Sequence, residues 1–384
     1  MVQSATEAGS RLDTALDTVI ENAVAEKRIV GAVVIVARGG EQLYARAAGL
    51  ADREAGTAIV PDTIFRWASL TKIVVATATL ALVERGVISL DDPVTRFLPD
   101  FRPALASGEV PVITLRHLLS HTAGLTYRLF EPGDGPYHRA NVSDGMDQPG
   151  LSIDENLARV ASVPLSRAPG AGWGYSIATD VLGEAIARAA ETSLPALVER
   201  LVTGPLGMRD SSFVVTARDR LATAYGNESP EPERMRSHHL VPFNEGSVSF
   251  APDRMVDPGS YPSGGGGMSG TANDFLRLLE ALRTGGGPVL SPQSIALLST
   301  YDPDGFETFR PGWKWPLGWS VLADPSKTGT PQSRGTWQWG GVYGNSWFVD
   351  GARELSVVTL TNTAVAGMTG LFPDAIRDAV YASL

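Results

Sequence analysis

Apolar positions recur with a helical period over Leu12 to Glu26, and the pattern then changes to two strand-like runs in "IVGAVVIVARGGEQLYARAAG", joined at Gly39-Gly40. Adjacent glycines supply the positive φ that a two-residue hairpin needs, so helix, strand, strand is the predicted opening. The stretch beginning at Ser69 reads as a helix to Arg85, closed by Gly86, where a left-handed cap costs little. Proline-punctuated segments such as "DDPVTRFLPDFRP" follow, with short helical patterns at Leu115 to His121, Thr179 to Ala190 and Leu194 to Leu201. "GNESPEPERMRSHH", Gly226 to His239, has the composition of a surface linker. Beyond it, "YPSGGGGMSGTANDFLRLLEALRTGG" predicts a glycine-rich turn and a helix with a capping spacing from Thr271 to Asp274. "GNSWFVDGARELSVVTLTNT" then predicts two more strands and "GLFPDAIRDAVYASL" a closing amphipathic helix.

Strands at both ends around a helical middle predict an α+β fold. One antiparallel sheet is built from the two termini and flanked by the N- and C-terminal helices. The expected division is a discontinuous α/β sandwich of residues 1–88 and 240–384 with a mainly helical domain, 89–239, inserted.

Composition narrows the chemistry. With 384 residues and 43% hydrophobic content the chain can bury a large core, and a net charge of -10 with no block of basic residues argues against nucleic acid as a partner. Cysteine is absent, which leaves covalent catalysis to an oxygen or nitrogen nucleophile. The longest apolar run, Ile73 to Val83, falls short of the roughly 20 residues a membrane span requires, so no membrane partner is expected. The polar, helix-patterned N-terminus lacks the basic start and apolar centre of a signal peptide, and the expected location is cytoplasmic.

Ser69 and Lys72 stand three apart at the start of the predicted helix, on one face and within reach of each other. Free amides and the positive dipole end there favour negative charge on a serine oxygen, and burial would push the lysine toward its neutral, basic form. In a chain whose lysines are Lys27, Lys72, Lys314 and Lys327, such a spacing also arises by chance about one time in four. A lysine in a first helical turn runs against the dipole, however, and function accounts for it better than stability does.

Five stretches carry a wider resemblance: "FRWASLTKIVVATATLALVERG" from Phe65, "LLSHTAGL" from Leu118, "GWGYSIATDVLG" from Gly172, "YPSGGGGMSGTANDFLRLL" from Tyr261 and "WQWGGVYGNSWFVD" from Trp337. In this order they resemble the family VIII carboxylesterases, serine esterases related to class C β-lactamases and penicillin-binding proteins. The likeness runs from the first hairpin to the last helix. It implies a β-lactamase-like fold and an acyl-enzyme on Ser69, with Lys72 as amine partner and Tyr175 relaying protons between serine, leaving group and water. It places the Lys/His-Thr-Gly triplet of lactamases at Trp339-Gly340-Gly341 and the oxyanion hole at the backbone N–H groups of Ser69 and Val342. Gly341 is expected to let its strand approach the substrate, and Trp339 and Trp173 to line a short acyl pocket.

Departures from the lactamase pattern favour an ester. Ile177 stands where lactamases of the family carry an asparagine, and the triplet has no cation. A literal "KTG" at Lys327 to Gly329 lies in a loop composition with two prolines and is set aside. No Gly-x-Ser-x-Gly elbow occurs; the nearest stretch, "GYSIA", ends in Ala178. His117 and His121 lack an acidic third ligand nearby, His121 being read as a helix C-cap, and neither a metal nor any other cofactor is implied. The expected activity is hydrolysis of short-chain acyl esters, extending under the resemblance to cephalosporin side-chain esters. The rivals are a β-lactamase or D-amino-acid peptidase of the same fold, an acyltransferase, and a binding scaffold without turnover.

Overall fold

The computed structural model describes residues 2–300, 302 and 305–384. Eight strands form one antiparallel sheet: β1 (Gly31–Arg38), β2 (Glu41–Asp52), β3 (Thr57–Ala58), β8 (Trp313–Lys314), β9 (Ser320–Leu322), β10 (Trp337–Gly341), β11 (Asn345–Asp350) and β12 (Leu355–Thr361), in the order β3-β2-β1-β12-β11-β10-β9-β8. Two short ribbons complete the strand set, β4 (Phe65–Arg66) with β7 (Ser269–Gly270) and β5 (His239–Phe243) with β6 (Gly246–Phe250). β1 pairs with β2 on one side and β12 on the other, Ala32 facing Thr361 and Arg38 facing Leu355, which joins the two ends of the chain. As the central strand it is buried on both faces, hence its unbroken apolar run "GAVVIVA".

The strand period of two sorts the core into two layers. Val33, Ile35, Trp347, Val349, Val358 and Leu360 face one cluster. Val34, Val36, Phe348 and Val357 face another, against Leu12, Leu16 and Ile20 of helix α1 (Val2–Ala25) and Phe372, Ile376 and Val380 of a C-terminal helix, Leu371–Ser383. On the first face lie α2 (Thr71–Glu84) and, after α3 (Leu115–Leu119), α4 (Pro136–Arg139), α5 (Ile153–Ala161), α6 (Ala178–Ala189) and α7 (Leu194–Val198), also α8 (Ala272–Arg283), which rests on β1 and β12. A ninth helix, α9 (Pro292–Thr300), precedes β8, and the C-terminal helix is α10. α8 begins as the capping spacing requires: Thr271 Oγ1 accepts from the Asp274 amide.

Residues 89–238 contribute no strand to the sheet. The segment after the linker forms the separate β5–β6 ribbon. β10, which carries the triplet, is paired by β9 only at Trp337 and Gln338, so Trp339 to Gly341 remain open on that side.

α2 is buried from Thr71 to Leu82, apolar all round as befits a helix in the middle of the molecule. The α1–α10 layer by contrast rests on one stripe of large side chains. Leu16→Ala, at a fully buried position in that stripe, is expected to lower stability by about 2–5 kcal/mol, read from denaturant unfolding.

Candidate active site

A strained, pinned turn delivers Ser69. Ala68 just before it has φ of 48°, unusual for a residue with a side chain. The conformation is held from several directions. The Trp67 amide donates to the Met268 carbonyl (2.9 Å) and its indole to the Gly270 carbonyl (3.1 Å), while Asn345 Nδ2 donates to the Arg66 carbonyl (2.7 Å). Thr71 Oγ1 donates to the Ala68 carbonyl (2.7 Å) and accepts from the Met268 amide (3.0 Å). A single turn of 3-10 helix, Ala68–Leu70, then runs into α2.

Lys72, one turn on, is 2% exposed, and its Nζ lies 3.2 Å from Ser69 Oγ. The same nitrogen is 2.9 Å from Tyr127 Oη and 2.7 Å from the Gly265 carbonyl. A carbonyl can only accept, so one N–H is committed to Gly265. A neutral amine then has its lone pair free for the Ser69 proton. Burial drives Lys72 toward that form, lowering its pKa, and the faces of Tyr175 (4.8 Å) and Tyr127 (5.3 Å) soften the cost when it is charged.

Tyr175 completes the group. Its hydroxyl accepts from Trp339 Nε1 at 2.9 Å and lines the same cavity as Ser69. Burial raises its pKa, and Ser69 and Trp339 oppose the rise. The indole N–H thus stands where the resemblance expects a cation, supplying a donor without a charge. His121 is no helix cap by its side chain. It is buried against the rings of Tyr175 (4.8 Å) and Trp315 (4.9 Å), and its Nδ1 accepts from the Ser176 amide (3.3 Å). Burial lowers its pKa well below the usual value, so the neutral ring acts as a wall for Tyr175.

Ser69, Tyr127, Tyr175, Trp339 and Val342 all line one cavity of ≈ 1080 Å³, whose outer walls include Phe130, Phe243 and Phe309. Phe309 is 61% exposed yet packs on Trp173 (5.5 Å) and Trp339 (5.8 Å), at the mouth.

Three expected binding residues lie elsewhere. Ile177 is 1% exposed inside the core, with its amide on the Thr126 carbonyl. Trp173 packs behind Phe309 and Trp315 and is not part of the cavity lining. At Gly341 the partner is not substrate: a Cβ there would come within 2.1 Å of the Trp67 carbonyl, so the missing side chain lets β10 press on the nucleophile's turn. Gly340 lines the cavity, but a Cβ on it would point at Met368. Lys327 pairs with Glu307 on the half-exposed rim.

Tyr127 was missed in the sequence because its contact with Lys72 spans 55 residues, which no local spacing reveals. Gly265, within the quoted glycine run, was read as a turn only.

The beta-lactamase family profile matches residues 16–380. The chain belongs to the beta-lactamase family. Esterase EstB of Burkholderia gladioli is 54% identical over 372 residues, 96% of this chain and 94% of that protein. EstCE1, described as a hydrolase with promiscuous acyltransferase activity, superposes with a TM-score of 0.94 at 45% identity, covering 97% of this chain and 99% of its own. A class C beta-lactamase from Rhodobacter sphaeroides shares the fold at a TM-score of 0.67 and 21% identity over 96% of this chain and 98% of that one.

Trp339→Phe keeps the ring and deletes the donor to Tyr175. A fall in ester kcat of about tenfold is expected, with KM little changed and the thermal midpoint unmoved, measured by steady-state kinetics and calorimetry.

Proposed function

We propose that this protein is a serine carboxylesterase that acylates Ser69 and then hydrolyses the acyl-enzyme. The observation that carries the reading is the buried Lys72 amine, 3.2 Å from Ser69 Oγ, with one N–H committed to the Gly265 carbonyl. In acylation Ser69 Oγ bonds to the ester carbon as its proton passes to Lys72. The carbonyl electrons move to the oxygen, which the Ser69 and Val342 N–H groups stabilise. As the intermediate collapses, the alcohol leaves and takes up a proton through Tyr175. Water then attacks the acyl carbon, giving its proton to the same pair and releasing the acid and Ser69.

Ester rather than lactam is supported by the neutral Trp339 donor in place of a cation and by an apolar side chain, buried Ile177, where an amide-binding asparagine is expected. It is also supported by the likeness to Esterase EstB. Trp339 against Tyr175 sets a small space beside the nucleophile, suited to a short acyl group, while the aromatic outer cavity suits a bulkier alcohol. The substrate is a small-molecule ester; among the described residues no helix is long and apolar enough to cross a membrane. EstCE1 motivates a second outlet, transfer of the acyl group to an added alcohol.

Ser69→Ala is expected to lower kcat/KM for p-nitrophenyl butyrate by at least ~10⁴-fold. Protein quenched during turnover should carry one acyl adduct on Ser69 by mass spectrometry. Faster opening of a chromogenic cephalosporin ring than of these esters would overturn the assignment. Because acylation needs the neutral amine, kcat/KM should rise with pH through the deprotonation of Lys72, below the ordinary lysine range, and be lost as pH falls.

A further inference from the structure

Behind Lys72 lies a carboxylate that the acylation scheme has not used. Asp180, in the first turn of α6, is 2% exposed. It shares Gly265 with the amine: Lys72 Nζ is 2.7 Å from the Gly265 carbonyl, and a Cβ on that glycine would lie 2.3 Å from Asp180 Oδ2 and 2.9 Å from Tyr127 Oη. On its other side a Cβ on Gly145 would come within 3.2 Å of Oδ1. Neither carboxylate oxygen has a hydrogen-bond partner among the described residues, and Ser263 and the Gly265 backbone only partly offset the rise in pKa that burial imposes.

A buried carboxylate in this condition costs stability unless a charge comes to meet it. The neighbouring ionisable groups differ in this respect. Asp144, which burial pushes up to about 7, has both oxygens taken by the Arg128 and Leu129 amides, each at 2.9 Å, and so fixes the turn after Tyr127. Arg254, the other cation acting on Asp180, already donates to the carbonyls of Gly145 (2.9 Å) and Tyr261 (2.7 Å). Tyr127, Tyr175 and Tyr261 also feel Asp180, and His121 feels Lys72, but burial keeps the phenols and the imidazole neutral. Lys72 is therefore the cation whose charge appears and disappears beside Asp180.

We propose that Asp180 is the positioning residue of the Ser69–Lys72 pair, its buried carboxylate stabilising the ammonium that forms when Lys72 takes the Ser69 proton. The proton moves from Ser69 Oγ to Lys72 Nζ, is never passed to Asp180, and leaves the amine through Tyr175 to the departing alcohol; Asp180 keeps its charge throughout. Like the aspartate of a serine–histidine–aspartate triad it balances the charge of the base without becoming protonated, but it acts without a direct hydrogen bond, the partners of Lys72 Nζ being Ser69, Tyr127 and Gly265. Burial lowers the amine's pKa and raises that of the carboxyl, and their mutual attraction opposes both shifts.

The test is Asp180→Asn, which keeps the shape and removes the charge. This inference rests on the acyl-enzyme reading, so wild type and variant are compared on p-nitrophenyl butyrate across pH, with fluorophosphonate titration counting competent Ser69. The expected result is a loss of about 10²-fold in kcat. The acid limb of kcat/KM should also move lower, since the amine then keeps only the weaker attraction of Asp144 and sheds its proton more readily. Ser263→Ala retains the carboxylate but removes a hydroxyl that helps stabilise it, which leaves the ammonium as its main partner, so the limb should move the opposite way, slightly higher. A fully titratable Asp180→Asn protein with the wild-type limb overturns the role of Asp180 and leaves the esterase reading intact. Should that variant not fold, an unmoved limb in Ser263→Ala overturns it instead. A wild type that forms no Ser69 adduct overturns both.

Discussion

An amine sealed inside an apolar helix is the constraint from which the site follows. A charged ammonium at the Lys72 position, taken from water without partners, would cost several kcal/mol. The fold meets this in two ways. Burial lowers the amine's basicity, and oxygens from widely separated parts of the chain close around it: Ser69 from the turn before α2, Tyr127 from beyond α3, and Gly265 from the segment before α8. One nitrogen therefore reports whether the start of α2, the segment after α3 and the glycine run before α8 have come together correctly. What would be a defect in an inert core becomes a base because a serine lies beside it.

The nucleophile's placement is paid for in backbone strain. Ala68 is held at positive φ, which costs on the order of 1–3 kcal/mol and persists only where the surroundings over-determine it. Here they do: β7 holds Trp67, the start of β11 holds Arg66 through Asn345, and β10 leans on the Trp67 carbonyl at Gly341. The sheet contributes to catalysis through this clamp as much as through the residues it presents to the cavity.

Local features were readable in the sequence, and long-range ones were not. The hairpin at Gly39-Gly40, the apolar run of β1, the cap at Thr271 and the Ser69–Lys72 spacing each depend on neighbours within a few positions, and each appears in the fold as expected. The sheet built from both termini followed from element order alone. Tyr127 and Asp180 act across the fold, and Asp180 went unremarked inside a stretch quoted for its tyrosine. Ile177 and Trp173 are the converse case. A matching family position and an aromatic side chain do not say where the chain turns: Ile177 enters the core at the head of α6 and Trp173 stacks behind the mouth. Small residues at Gly340 and Gly341 signalled close approach without saying what approached.

The four glycines 264–267 set limits on how this site can be diversified. A Cβ would lie 2.5 Å from the Thr179 carbonyl at Gly264, 2.3 Å from Asp180 at Gly265 and 2.7 Å from Ser263 backbone at Gly267, whereas Gly266 meets nothing nearer than Met146 at 3.4 Å. Mutational libraries aimed at new selectivity will find that inner wall nearly closed to change except at Gly266. Productive variation belongs at Phe243 and Phe309 on the aromatic rim, whereas Phe130 packs on Tyr127 and Tyr175 and is tied to the lysine's cradle.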